Sequence, residues 1–272
     1  MDGHFTLRLG LALLVPSMAK VLDKSTLESA SWLEPAVAEA TRICKVNASE
    51  GLSARPTMNW LALIPAVRVL ELAARVESHA ASMLDSGVIE ALDYACLNDF
   101  TFISASTAAE AAGAVVALVG RNEGGKTLSR STVEAVLGGH ALYFDPTHYK
   151  SGAGAVKLVP YARRVAVMAI ADANKKIMLH NDSLLSTLVA GLLLDDDNPR
   201  RGQDGADDLQ GVYAGILHEL ALYGPGAAAL RSHRGVMDAL RVLAETGTKE
   251  SRERAAGALF ELDESERSRE RA

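Results

Sequence analysis

One stretch of the sequence has the residue types and spacing of a phosphate-binding loop. From Gly120 to Thr127 it reads GRNEGGKT and fits the pattern G-x-x-x-x-G-K-[ST], in which backbone N–H groups and the lysine hold phosphates. An apolar run ending at Asp145 would supply an acidic partner for magnesium. A P-loop also needs a buried β-strand before its first glycine and a series of βαβ units. Residues 107–112 (TAAEAA) favour a helix instead, so a P-loop nucleotide-binding protein is the alternative interpretation.

Motifs for metal binding and acid–base catalysis are incomplete. His218 and Glu219 begin an H-E-x-x-H zinc motif, but Leu222 stands where the second histidine would be. We therefore expect His218 on the exposed side of a helix. Three more candidate ligands share one predicted loop, where we expect them to be solvated: His140, Asp145 and His148. The sequence thus predicts no catalytic, metal-binding or cofactor-binding residues, and no enzyme.

The composition favours packed helices and excludes several classes of protein. The chain has 272 residues, of which 49% are hydrophobic and only 5% aromatic, a balance more typical of helical bundles than of β-sandwiches. The formal net charge of −6 argues against a nucleic-acid partner. No apolar run approaches the ~20 residues that span a bilayer, and the run at residues 9–15 lacks the basic lead of a signal peptide. Two cysteines without a disulfide framework favour a cytoplasmic location.

Two series of segments recur along the chain. Segments 88–92, 132–136, 184–188 and 236–240 each carry apolar residues at i, i+1 and i+4, a helical spacing. The second series consists of apolar stretches that end in a large aliphatic residue, with another aliphatic residue three places earlier and valine or glycine five places earlier. The closing residues are Leu72, Leu118, Ile170, Leu220 and Leu262. We expect these five to be buried, and we expect the glycines of the series, among them Gly215 and Gly257, to let neighbouring helices approach closely.

The segments between these helices are predicted to be loops or charged surface. Residues 45–56, 138–154 and 195–208 are polar and rich in glycine or aspartate, which predicts connecting loops. The basic pairs at 163–164 and 175–176 are expected to be solvated. Residues 263–272 form a predicted flexible, charged tail. Two helices per unit, with a spacing in the forties to low fifties, indicate a helical solenoid.

The last unit resembles an armadillo repeat. The resemblance rests on residues 235–243 (GVMDALRVL) and 254–262 (RAAGALFEL), and residues 87–92 look like the start of another repeat. It implies an all-α, right-handed superhelix forming one repeat domain over 1–262 with a degenerate first unit. It also implies a non-enzymatic scaffold for protein–protein interaction, of the kind often fused to signalling domains. Because the first short helix of each unit is hard to see, a HEAT-like unit of two helices remains an alternative.

The resemblance also places a binding face. Many peptide-binding armadillo proteins carry an asparagine just before the closing leucine, and it holds the backbone of an extended peptide. That column reads Glu71, Ala117, Ala169, Glu219 and Glu261 here, so backbone capture of this kind is not expected. The predicted protein-binding face comprises Arg68, Glu71, Arg164, Glu219 and Glu261. Its acidic column favours a basic or mixed-charge protein partner.

The helical context before Gly120 predicts that the glycine-rich loop does not bind nucleotide. Calorimetry with ATP or GTP and magnesium should therefore give no saturable heat at submillimolar concentrations. Saturable binding that disappears in Lys126→Ala would instead support the P-loop alternative, because that lysine holds the phosphates in a P-loop.

Overall fold

A computed structural model describes residues 33–49, 60–74, 76–92, 105–119, 128–145, 154–193, 195 and 197–270. These residues form thirteen α-helices, and none of them lies in a β-strand. The prediction of an all-α protein is therefore confirmed. Among these residues, no helix combines the length and apolar character needed to cross a membrane.

The chain divides into two compact units, Met1–Arg121 and Asn122–Ala272. The first unit contains α1 (Leu33–Ser49), α2 (Trp60–Ala74), α3 (Glu77–Asp85), α4 (Val88–Leu92) and α5 (Ala105–Val119). In its core α2 packs against both α1 and α5, while the shorter α3 and α4 complete the contacts. The buried faces of α2 and α5 consist mainly of alanine, valine and leucine, which allows the helices to approach closely.

In the second unit, helix length increases within each successive set of three helices, beginning with the helix Asp172–Met178. It contains α6 (Arg130–Phe144), α7 (Gly154–Met168), α8 (Asp172–Met178), α9 (Leu184–Leu192), α10 (Ala206–Ala221), α11 (Gly224–Ser232), α12 (Val236–Thr246) and α13 (Lys249–Glu270). The long helix α10 packs between α7 and α13. Likewise α9 packs between α6 and α12, and the short α8 contacts the short α11. Each helix therefore contacts its counterpart in the next set.

The interface between α10 and α13 shows that these two helices run parallel. Three pairs of residues meet across it: Gly211 with Glu250, Gly215 with Arg254, and His218 with Gly257. Within every pair the sequence numbers differ by 39 (250 − 211, 254 − 215 and 257 − 218), so contact advances in the same direction along both helices. A Cβ at residue 215 would overlap the Arg254 side chain, and one at residue 257 would lie 3.1 Å from His218 Cε1. Both glycines therefore lie in the interface and make room for a side chain of the facing helix.

The predicted stripe of closing residues is buried at every position except one. Leu72, Leu118, Leu220 and Leu262 are all buried, as expected. The prediction for Ile170 is wrong, because its side chain is 49% exposed. Helix α7 already ends at Met168, so Ile170 lies in the turn beyond it, and the buried Val165 and Met168 fill the core instead.

All three predicted loops are partly helical, and residues 206–208 of the last one begin α10. Residues 138–144, expected in a loop, continue α6, because His140 extends its buried stripe of Val133, Val136 and Leu137. Residues 45–49 likewise belong to α1.

The charged segment after Leu262 extends α13 as far as Glu270. Arg231 of α11 donates hydrogen bonds to the Leu262 carbonyl and the Ser265 hydroxyl, which holds this turn of the helix in place. Further along the helix, Arg267 Nη1 lies 2.7 Å from Glu264 Oε1, one helical turn away.

The basic pairs are only partly solvated. Lys175 is 3% exposed and its Nζ lies 2.9 Å from Asp172 Oδ1, so the prediction of a solvated residue is wrong there. The neighbouring Asn174 is also buried and accepts a 2.9 Å hydrogen bond from the Leu128 backbone N–H. The short helix α8 thus turns a polar face toward the core, where side chains satisfy the polar groups.

The position of Leu220 in the middle helix of the second unit predicts a large loss of stability on truncation. Leu220→Ala should lower the free energy of unfolding by about 2–5 kcal/mol, because Leu220 is fully buried on α10. The matched control is Leu222→Ala, whose side chain is 52% exposed and should cost less than about 0.5 kcal/mol. Urea denaturation of both variants tests the assignment, and equal losses would contradict it.

Candidate functional site

The predicted binding-face residues of the first unit belong to a charged surface. Arg68 of α2 is 46% exposed in its side chain, and its Nε lies 3.1 Å from Glu110 Oε2 of α5. Glu71 lies almost one turn further along α2 and is half-buried. The structure therefore places Arg68 and Glu71 on neighbouring turns, with Arg68 linking α2 to α5 across their surface.

Arg164, the third predicted residue, packs on aromatic rings. Its guanidinium carbon lies 4.5 Å from the centre of the Tyr161 ring, and Tyr161 stacks on Tyr143 of α6 with ring centres 4.0 Å apart. Burial lowers the pKa of Arg164 to about 10. The expectation of a solvated basic pair is therefore wrong for Arg164, although the adjacent Arg163 is exposed. Cation–π contact explains how a buried guanidinium is tolerated at this position.

Glu219 and Glu261 lie on adjacent parallel helices and are half-buried. The offset of 39 residues between facing positions of α10 and α13 puts Glu261 level with Leu222 (222 + 39 = 261). Glu219 is three residues before Leu222, which is about one turn along α10. The two carboxylates consequently lie near the same end of the α10–α13 pair. His218 is also half-buried, and its imidazole packs on Gly257, so it is less exposed than expected.

The predicted column is not structurally equivalent from helix to helix. The short helices α3, α8 and α11 all follow one extended residue, and these N-cap residues have closely similar backbone angles. They are Val76 (φ −95°, ψ 116°), Ala171 (φ −91°, ψ 129°) and Tyr223 (φ −101°, ψ 118°). Glu71, Ala169 and Glu219 precede them by five, two and four residues (76 − 71, 171 − 169 and 223 − 219). The column residue therefore lies at a different distance from the N-cap in each case. This shift becomes visible only when the helices are aligned on their N-cap residues, and sequence spacing alone missed it.

A buried polar contact that sequence reasoning missed joins α6 to α10. His140 Nε2 lies 2.6 Å from the Tyr213 hydroxyl oxygen, and both side chains are at most 1% exposed. The two rings meet edge to face, with centres 5.4 Å apart. Gly191 of α9 makes room for Tyr213, because a Cβ there would overlap the tyrosine ring. His140 was expected in a solvated loop with Asp145 and His148; it lies in a helix core, and His148 lies outside the described residues.

The acidic connector before α10 is anchored by polar side chains. Arg200 Nη2 donates hydrogen bonds to the Tyr143 and Phe144 carbonyls, at 2.6 Å and 2.9 Å, at the end of α6. Asn198 Nδ2 donates to the Gly191 and Leu193 carbonyls at the end of α9, at 3.1 Å and 2.9 Å. These bonds satisfy carbonyls that a helix leaves without intrahelical partners at its C-terminus. Residues 198–200 thus fasten the connector to two helix ends, where sequence reasoning had expected a projecting loop.

Burial holds three ionisable side chains, His140, Tyr213 and Cys44, in their neutral forms near pH 7. Burial lowers the pKa of His140 to about 4 and raises the pKa of Tyr213 well above its usual value. Burial also raises the pKa of the Cys44 thiol to about 12, which leaves little thiolate for nucleophilic attack. In the described part of the chain, no three His, Cys, Asp or Glu side chains gather where they could hold a metal ion.

The glycine-rich loop from Gly120 to Thr127 lies outside the described residues, but the segment before it is described. Helix α5 runs from Ala105 to Val119, so a helix stands where a P-loop requires a buried strand. Comparisons with protein-family models, with curated proteins and with solved structures found no match to this chain.

The depressed pKa of His140 predicts a stability that depends on pH. Because His140 titrates near 4 in the folded protein and near 6.5 when unfolded, the unfolded chain takes up the proton first as the pH falls. The stability from this group is complete above pH ~6.5 and is lost progressively as the pH falls toward 4, with about 2 kcal/mol lost between pH 7 and pH 5.

The measurement is urea denaturation at pH 7 and pH 5 of the wild type, of His140→Gln and of His180→Gln. The last is a matched control, because His180 is exposed. The pH-dependent difference should shrink in His140→Gln and persist in His180→Gln. An unchanged difference in His140→Gln would show that other groups cause it.

Proposed function

We propose that each compact unit is an armadillo-like stretch of right-handed superhelix and that the protein is a non-enzymatic scaffold for protein–protein interaction. The observation that carries this proposal is the parallel packing of α10 on α13, with α7 on the other side of α10. Sequential helices of an up-and-down bundle are antiparallel neighbours, whereas a solenoid stacks equivalent helices of successive repeats in parallel. Solenoid surfaces lined by such equivalent helices are the ones used to bind partners.

The order of helix lengths supports an armadillo-like unit over a HEAT-like one. A short helix, a medium helix and a long helix follow one another in α8–α9–α10 and again in α11–α12–α13. The short helices contact each other, as do the medium helices and the long helices. This three-helix order is what the resemblance of residues 235–262 to an armadillo repeat implies, and it supplies the first short helix that a HEAT-like description lacks.

The binding face that we propose in the second unit is acidic. Glu219 and Glu261 lie near the same end of two adjacent long helices. Each is only half-buried, so a partner can reach both carboxylates. The partner is a protein with basic or mixed charge, and charge pairing makes association sensitive to salt. Arg164 contributes indirectly by packing on Tyr161. In the first unit, Arg68 and Glu71 offer a mixed-charge surface in which Glu110 also takes part.

The proposal assigns no nucleotide, metal or nucleic-acid ligand. Helix α5 in front of Gly120 argues against a P-loop, and the net charge of −6 argues against binding to nucleic acid. A reducing, cytoplasmic location fits a chain with two cysteines, of which Cys44 is a buried free thiol.

Reversing charge on the acidic face tests the proposal. A partner recovered from native cells with the intact protein should bind the variant Glu219→Lys with Glu261→Lys about tenfold more weakly at low salt, because like charges would meet. The control is Glu245→Lys with Glu253→Lys, which makes the same change in net charge at exposed positions of α12 and α13. Binding measured by calorimetry should be affected only by the first variant. A folded first variant that binds as tightly as the wild type would exclude this face.

A further inference from the structure

Two large aliphatic side chains are exposed at equivalent positions of the second unit. Ile170 is 49% exposed and Leu222 is 52% exposed. Each stands immediately before the extended N-cap residue of a short helix, Ala171 before α8 and Tyr223 before α11. Each therefore occupies the turn that joins a long helix to the following short helix. An isolated exposed leucine is common on protein surfaces, but the same exposure at the same turn of successive three-helix sets needs an explanation.

These two turns lie side by side. Helix α7 packs against α10, and α8, which follows α7, packs against α11, which follows α10. Because both the long and the short helices are neighbours, the turns between them project from the same edge of the unit. The axes of packed helices are about 8–10 Å apart, so the two turns that carry Ile170 and Leu222 are separated by about one such spacing.

Acidic side chains lie on one side of this apolar pair. Glu219 precedes Leu222 by three residues and therefore shares its face of α10. Glu261 of α13 is level with Leu222, as the constant offset across the α10–α13 interface shows. On the other side, the half-buried Val167 precedes Ile170 by three residues. We call Val167, Ile170, Glu219, Leu222 and Glu261 the corner strip; it is apolar at α7 and acidic toward α13.

We propose that the corner strip binds an amphipathic helix of a partner protein, with two large apolar side chains that contact Ile170 and Leu222 and with lysine or arginine beside the second. The inference rests on the scaffold function and specifies its partner. A spacing of about 10 Å corresponds to seven residues of an α-helix, at 1.5 Å per residue. The basic residues follow from charge complementarity with Glu219 and Glu261.

A helical occupant fits this chain better than an extended one. An extended peptide needs partners for its backbone N–H and C=O groups. Peptide-binding armadillo proteins supply them with an asparagine, whereas the positions four residues before the three extended N-caps are Leu72, Val167 and Glu219. A helix satisfies its own backbone hydrogen bonds and binds through side chains alone. The corner strip offers apolar and acidic side chains, which match the apolar and basic side chains of such a helix.

The test uses a displayed library of random peptides of about 15 residues, long enough for roughly four helical turns, selected against the full chain. Peptides that bind should be enriched in pairs of large apolar residues seven positions apart, with lysine or arginine near the second. Ile170→Ser with Leu222→Ser should weaken their binding by about tenfold or more, as expected for loss of two anchor contacts. Glu219→Lys should weaken it as well, and circular dichroism should show all variants folded.

A matched control is available on the same unit. Val242 of α12 is also exposed, at 49%, so Val242→Ser removes apolar surface at a residue outside the corner strip. This substitution should leave peptide binding unchanged. The proposal is overturned if no peptides are enriched, if those enriched bind the Ile170→Ser/Leu222→Ser variant equally well, or if they are acidic. Enrichment of strictly alternating apolar residues, two positions apart, would overturn the helical occupant in favour of an extended one.

Failure of this inference is distinguishable from failure of the scaffold proposal. One outcome is that charge reversal at Glu219 and Glu261 abolishes binding of a natural partner while Ile170→Ser with Leu222→Ser leaves it unchanged. That result would support the scaffold proposal and contradict the role of Ile170 and Leu222 as apolar anchors. A natural partner that is insensitive to both variants would exclude the acidic face and the corner strip together.

Discussion

The second unit depends on the close packing of α10 against its neighbours on all sides. On one side Tyr213 fills the space beside Gly191 and reaches His140, which ties α9 and α6 to the same ring. On another side the backbone of α10 at Gly215 lies under the Arg254 side chain of α13. At its end, Gly226 lets α11 approach the Leu220 carbonyl, where a Cβ would overlap the oxygen. Small residues at these contacts let α10 act as the shared centre of the unit.

Sequence patterns predicted the long helices well, because each carries enough apolar residues to show a helical period. The buried closing leucines and the interface glycines Gly215 and Gly257 followed from that period, whereas Gly191 and Gly226 did not. The short helices were missed, because α8 and α11 read DANKKIM and GPGAAALRS and follow residues that supply no capping side chain. Spacing also failed at Ile170, since the end of α7 depends on how the following turn packs. The pairing of His140 with Tyr213, 73 residues apart, has no local signal at all.

Polar side chains of the second unit donate hydrogen bonds to carbonyls at the C-terminal ends of its helices. A packed helix leaves carbonyls at its C-terminus without partners, and a buried carbonyl without a hydrogen bond is costly. Asn198 and Arg200 meet that need for α9 and α6, although they belong to a segment whose acidic composition suggests a free loop. The acidic composition of this connector alone would suggest a binding surface. The hydrogen bonds of Asn198 and Arg200 instead show that these two side chains have a structural role.

The parallel stacking of long helices has a consequence for how the second unit opens. Since α13 contacts α10 and α10 contacts α7, each layer is held mainly by the layers beside it. The outermost layer can then separate while the inner contacts stay closed, in the manner of nearest-neighbour systems. Backbone amides of α13 should exchange with solvent deuterium through such partial openings. Those of α10, enclosed on both sides, should exchange only when the unit as a whole unfolds, which gives the molecule a gradient of protection along its layers.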